Sequence, residues 1–255
     1  MKLNVISDLH IIPHNYIGRM RNEWDPFEPE KLEPADYLIV AGDMGVGENY
    51  GYIIKAIRIR TRGKFKDVLW IKGNHDYWVF KNLPSSPRNH KFEVVDGDCA
   101  IFGTTMWCPV TSPSGEYIVP MRMNDYVYIP RWDIDVMRSR YKDELSWIRS
   151  KMDEHRKAGR KIILVTHHNP RRLYQLRHMS KSVEPSGIDC AYYVDDDSCD
   201  DIKPDVWITG HDHARVDIID DGVRYFRNPI GYHGVWYGPV PQLSEKHWYD
   251  SVIEV

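Results

Sequence analysis

Short apolar, β-branched runs that break off at polar clusters recur five times along the chain. They are Lys2 to Ile6 ahead of SDLH, Asp36 to Val40 ahead of AGD, Asp67 to Ile71 ahead of KGNHD, Lys161 to Val165 ahead of THHNP, and Asp205 to Ile208 ahead of TGHDH. Runs of this kind predict strands buried on both faces, with polar residues gathered at their carboxyl ends. Between them, Met137, Tyr141, Leu145, Ile148 and Met152 recur in steps of four, four, three and four. That spacing predicts a long amphipathic helix over 136–158, with Gly159 as its C-terminal stop. A second helix is predicted over Tyr50 to Arg62, with Ile53, Ile54 and Ile57 on one side and Gly63 beyond its end.

Alternating strands and helices imply a mainly parallel, layered α/β fold. Two pairs of runs depart from that rule. Phe92 to Val95 and Ala100 to Thr104 flank DGD, and Val216 to Ile219 and Val223 to Phe226 flank DDG. Both read as hairpins, so part of the sheet is expected to be antiparallel or mixed. The stretches 106–133 and 170–200 have little periodicity and are expected to be loops that wall a substrate cleft.

Composition narrows the class more than it identifies it. The 255 residues are 42% hydrophobic and 28% charged, ordinary for a globular protein, and one domain over 1–255 is the expectation. A formal charge of -3 excludes a general basic field for nucleic acid or an anionic membrane. No run approaches the roughly 18–20 apolar residues that span a bilayer, and MKLNVISDLH has a charged break too early for a signal peptide. A cytoplasmic location is expected. Cys99, Cys108, Cys190 and Cys199 contain no CxxC pair and read as free, partly buried thiols.

The chemistry sits at the strand ends. Asp8 and His10, and again His211 and His213, are spaced i, i+2, which in extended backbone turns both side chains to one face. Gly210 allows a tight turn before the histidine pair. Asp43 ends a buried strand, where a carboxylate is costly unless it is hydrogen-bonded, coordinates a cation or caps the next helix. GNHD, residues 73–76, combines a neutral amide, an imidazole and a carboxylate; an Asx-type turn is its bland alternative. His167 or His168 would complete a set of five clusters, and ligands bind outside the carboxyl ends of strands in open α/β sheets.

In their order DxH, GD, GNHD, HH and GHDH, these blocks resemble the calcineurin-like metallophosphoesterase superfamily over residues 7–213. MNDY at 123–126 and NPIGY at 228–232 resemble features of a bacterial and phage branch whose members begin SDLH. The resemblance implies a four-layer α-β-β-α sandwich with mixed sheets and two divalent metal ions. Carried over by position, Asp8, His10 and His213 would hold one ion, Asn74, His167 and His211 the other, and Asp43 would bridge them. His168 would lie outside the ligand set. Mixed nitrogen and oxygen donors suit manganese, iron and zinc alike, with availability often deciding; manganese is the favoured expectation.

The implied activity is phosphodiester or phosphomonoester hydrolysis by in-line attack of a metal-bridging hydroxide, with uncoordinated His75 as the proton donor and Asp76 as a possible orienting group. A small-molecule or nucleotide phosphoester is the expected substrate. Three rivals remain. A non-catalytic metal-binding scaffold would have lost ligands, yet every position is filled. A protein serine/threonine phosphatase would carry a further aspartate and arginine where this chain reads GDMGVGEN. A nucleic-acid enzyme could stack bases on Trp107, Tyr126 and Trp132 beside Arg122 and Arg131, although a packed loop with solvated arginines explains those residues better.

Overall fold

The computed structural model describes residues 1–11, 27–79, 88–171, 187–231 and 249–255. Among the described residues, ten strands form two mixed sheets. In the four-stranded sheet, β1 (Lys2–Ile6), β2 (Tyr37–Ala41) and β3 (Asp67–Ile71) run parallel, and β10 (Val252–Glu254) pairs antiparallel with β1. In the six-stranded sheet, β5 (Cys99–Thr104), β6 (Lys161–Thr166), β7 (Val206–Ile208) and β9 (Val223–Arg227) run parallel. The edges are β4 (Phe92–Asp96) and β8 (Val216–Asp220), each antiparallel to its hairpin partner.

Period-two alternation splits each strand between two cores. Leu3, Val5, Ile39 and Ile71 of the first sheet meet Ile101, Ile163, Val165, Ile208 and Phe226 of the second, forming the layer between sheets. The other faces are covered by helices. Ile6, Leu38 and Val40 pack with Ile53, Ile54 and Ile57 of α1 (Asn49–Arg60). Phe102, Ile162, Leu164 and Trp207 pack with Met137, Tyr141, Leu145, Ile148 and Met152 of α4 (Ile134–Lys157). The result is the four-layer α-β-β-α sandwich.

Helix α4 begins two residues before the expected start because the Asp133 carboxylate accepts the Val136 N–H, an N-cap. Its end lies as expected, with Gly159 at φ 69° and the Arg160 N–H bonded to the His155 carbonyl at 3.0 Å.

The stretch 106–133 is not a loop. It holds α2 (Pro113–Arg122), capped by Ser112, and α3 (Asp125–Tyr128). Only Gly115 and Val119 of α2 are buried, too few to leave a periodic signal, and Pro120 lies inside the helix. Of the other presumed loop, residues 172–186 lie outside the described residues, and Asp189–Ala191 form a 3-10 turn with Cys190 and Ala191 buried. The four thiols are free and buried. Among the described residues, no helix is long and apolar enough to cross a membrane.

Candidate metal centre

All five polar clusters meet where the two sheets present their carboxyl ends. Beyond β1 the backbone at Asp8 and His10 is left-handed, with φ 54° and 45°, as it is at Asp43 (52°) and His211 (67°). The i, i+2 extended geometry expected for Asp8 and His10 is therefore wrong, although the two side chains do converge. Four non-glycine residues in this costly region at one site mark backbone held by its surroundings. The hold is visible. Asp8 N–H donates to the Gly42 carbonyl, His10 N–H to the Asp43 carbonyl, and the Gly231 N–H to the Asp8 carbonyl, at 3.0, 3.0 and 2.9 Å. Asn228, Pro229, Ile230 and Gly231 run beside Ser7 and Asp8, which gives most of the NPIGY motif a physical role; Tyr232 lies outside the described residues.

Three glycines form the floor. A Cβ on Gly73 would overlap Asp43 Oδ1, one on Gly42 would overlap the His167 ring, and one on Gly210 would come within 2.6 Å of the Ala41 carbonyl oxygen. All three open the GD, GNHD and GHDH blocks, but of them the sequence assigns a physical role to Gly210 alone.

The donor atoms fall into two groups joined through Asp43, with a further cluster of His10, Asp43 and His75 between them. In the first, His10 Nε2 and His213 Nε2 are 3.0 Å apart, His213 Nε2 is 3.6 Å from Asp8 Oδ1, and His10 Nε2 is 3.7 Å from Asp43 Oδ2. In the second, His167 Nε2 is 3.1 Å from Asn74 Oδ1 and 3.4 Å from Asp43 Oδ1, and His211 has a donor nitrogen in the same group. Asp43 is no helix cap, since Glu48 holds that position for α1. His211 Nε2 is buried without a hydrogen-bond partner among the described residues. An orphaned imidazole nitrogen facing carboxylate and imidazole donors fits a divalent cation.

Electrostatics point the same way. Burial, then neighbouring His75, holds His10 well below the usual histidine value, and burial with His168 does the same for His211. Both shifts favour the neutral ring that a ligand requires, whereas His167 is shifted the other way and would have to release a proton on binding an ion. Burial opposes ionisation of Asp43, yet His167, His75 and His10 keep its carboxyl well below the usual range. Burial alone would lower His167, but Asp43 and Asp8 push it up to about 9.

His75 stands beside both groups, its Nε2 3.8 Å from Asp43 Oδ2. Its ring is stacked on Trp78 with centroids 3.6 Å apart, and burial pushes it down to about 4. Asp76 does not orient it. The Asp76 carboxylate turns away to accept the backbone N–H groups of Gly73, Gly45 and Met44, at 2.9, 3.0 and 3.3 Å, and so ties the AGD and GNHD loops together. His168 packs on His211 and Trp107, with centroids 4.3 and 5.1 Å away, outside both donor groups.

Two supports were not legible as such. Asp125, within MNDY, accepts from Asn74 Nδ2 at 2.8 Å and Trp78 Nε1 at 2.6 Å. Arg227 is buried and donates to the Ala214 carbonyl, Asn169 Oδ1 and Asp212 Oδ2, bracing the two loops that follow β6 and β7.

Two other possibilities lose ground. Trp107 and Trp132 are buried in the α4 core and Tyr126 packs against it, so these rings do not form a base-stacking platform. Glu93, Glu154 and His155 also cluster, but the Lys151 ammonium lies 2.7 and 2.9 Å from the two carboxylates and already offsets part of their charge.

A family model described as calcineurin-like phosphoesterase matches residues 1–215. No curated protein matches the chain. Among solved structures, a phosphopantetheinyl hydrolase from Mycobacterium tuberculosis superposes with a TM-score of 0.61 at 18% identity, over 91% of this chain and 89% of that one. A dimetal phosphatase from Danio rerio gives a TM-score of 0.47 at 12% identity, over 89% and 86% of the respective chains.

Proposed function

The chain belongs to the calcineurin-like phosphoesterase family, and from that premise we propose that it is a hydrolase of phosphodiesters or phosphomonoesters built around two divalent ions. The observation that carries this reading is the division of Asp43: its Oδ2 lies toward His10 and its Oδ1 toward His167, one oxygen for each donor group. Asp8, His10 and His213 would hold one ion and Asn74, His167 and His211 the other. Asp43 would be common to both. When bound, the ions supply positive charge for the phosphate and lower the pKa of a water held between them. Manganese is the first metal to test.

The protein's own groups do the rest. His75 borders both donor groups, its ring nitrogen clustered with His10 and Asp43, and in this reading it would deliver the proton to the leaving oxygen rather than hold an ion. Trp78 fixes the plane of the ring. Residues 1–255 act as one domain in this reading, supported by β10 completing the sheet that carries Asp8, Asp43 and Asn74.

The test is a screen of manganese-reconstituted protein against mono-, di- and cyclic phosphoesters, with His75→Ala alongside. The variant is expected to keep two ions and lose about 10² to 10⁴ in kcat on substrates with poor leaving groups. Absence of metal-dependent turnover on every ester would favour a non-catalytic scaffold instead.

A further inference from the structure

The MNDY segment has no part in the reading above, yet one of its atoms touches both halves of the site. Asn74 presents Oδ1 to His167 Nε2 at 3.1 Å and Nδ2 to Asp125 Oδ1 at 2.8 Å. A carboxamide is nearly symmetric in shape, so its partners decide which end faces the donor group. An acceptor at Asp125 fixes the amino end outward and leaves the oxygen inward. The same Asp125 oxygen accepts the Trp78 indole N–H at 2.6 Å, and Trp78 is the ring stacked on His75 at 3.6 Å and 24°. Tyr128, one turn along α3, backs Trp78 at 5.0 Å, and its carbonyl accepts the Val79 N–H at 2.8 Å. Asp125 itself is 3% exposed, so water does not compete for the shared oxygen.

We propose that Asp125 is a positioning residue that sets, through one carboxylate oxygen, both the orientation of the Asn74 amide toward its ion and the plane of the His75 ring. The inference rests on the two-ion reading. It adds that α3, which supplies no ligand and no acid, keeps the two in register.

Four single substitutions, Asp125→Leu, Asp125→Asn, Asn74→Ala and Trp78→Phe, and the double variant that combines Asn74→Ala with Asp125→Leu test it. Calorimetric manganese titration of each is combined with turnover on phosphodiesters of good and poor leaving group. Asn74→Ala identifies the binding step that depends on the amide. Asp125→Leu is expected to weaken that same step at least about tenfold, the range for losing a partner behind a ligand, and to add nothing in the Asn74→Ala background. Asp125→Asn retains an oxygen at the shared position and is expected to restore affinity to within about threefold. Trp78→Phe keeps the stacked ring but not the hydrogen bond; it is expected to leave both binding steps intact while lowering turnover on the poor leaving group more than on the good one.

A wild-type titration of fewer than two ions overturns the two-ion reading and this inference with it. Two ions in the wild type, with an unchanged titration in Asp125→Leu or equal weakening of both steps, overturns the inference alone. Should Asp125→Leu fail to fold, Trp78→Phe still decides, because an unchanged leaving-group ratio removes the link to His75.

Discussion

Gly73→Ala places a methyl group where the floor of the site has no room. The new Cβ would overlap Asp43 Oδ1 and the Asp43 backbone nitrogen, and would lie 2.6 Å from His167 Cε1. Ordinary contact begins at 3.4 Å, so His167 must retreat by about 0.8 Å, and the backbone of Asp43, itself left-handed and hydrogen-bonded, must move as well. Overpacking of this kind costs about 1–3 kcal/mol of stability. A displacement near 1 Å in a reacting geometry costs about 10² in rate. The matched control is Gly51→Ala, the same chemical change inside α1 with nothing within 4 Å. Relief of glycine's helix penalty should stabilise that variant by about 0.5–1 kcal/mol without touching turnover. The assays are urea unfolding, metal content by mass spectrometry, and kcat/KM on a chromogenic phosphodiester. A Gly73→Ala protein that binds two ions and turns over within threefold of wild type would refute the argument that Asp43 and His167 share this floor.

Glu144, on α4, is fully buried and accepts from Thr104 Oγ1, Asn89 Nδ2 and the Trp107 N–H; burial pushes its carboxyl up from 4.5 to about 7. A raised carboxyl contributes stability that is whole below pH 4.5 and lost as pH rises through about 7, about 3 kcal/mol in all; relative to Glu144→Gln, wild type should therefore weaken by that amount between pH 4.5 and 8 in urea melts, and a pH-independent difference would contradict it. Asp76→Ala strands three buried backbone N–H groups and should cost about 3 kcal/mol or more, read as the shift in urea midpoint; a loss below 1 kcal/mol would mean the two loops do not depend on that carboxylate. Arg227→Met keeps the buried stem but removes the brace, which should cost about 3 kcal/mol and speed hydrogen exchange at residues 211–214, whereas unchanged protection there would show those loops to be held by other means.

What the sequence made legible follows from what leaves a period or an order. The strands β1 and β3 stand out as apolar runs that stop at polar clusters, α4 as a stripe in steps of three and four, and both hairpins by their DGD and DDG turns, and the structure places them within a residue or two of expectation. Strand β10 is only three residues long and carries no rhythm of its own; it exists because β1 offers it an edge. Helix α2 shows so few residues to the core that its pattern dissolves into the surrounding polar chain. The donor residues were readable because five motifs occur in order, but the reason first given for Asp8 and His10 was wrong: left-handed backbone, fixed by neighbouring loops, brings them together. Asp125 and Arg227 act on residues 51 and 58 positions away in the chain, and no local signal encodes such partnerships. Asp76 shows the converse, a residue adjacent to His75 whose carboxylate serves the backbone of another loop.

The two donor groups draw on both sheets: Asp8, His10, Asp43 and Asn74 follow strands of the first, and His167, His211 and His213 follow strands of the second. An ion bound by either group is therefore also a cross-link between layers already joined by their shared apolar core and by hydrogen bonds such as Tyr37 Oη to Asp96 Oδ2 and Asn228 Nδ2 to the Val5 carbonyl. Ligand linkage makes that cross-link worth about 2.7 kcal/mol at a hundredfold excess over Kd. A cell starved of the metal would then hold a looser sandwich that proteases clear sooner, and the protein's abundance, as well as its turnover, would follow the metal supply.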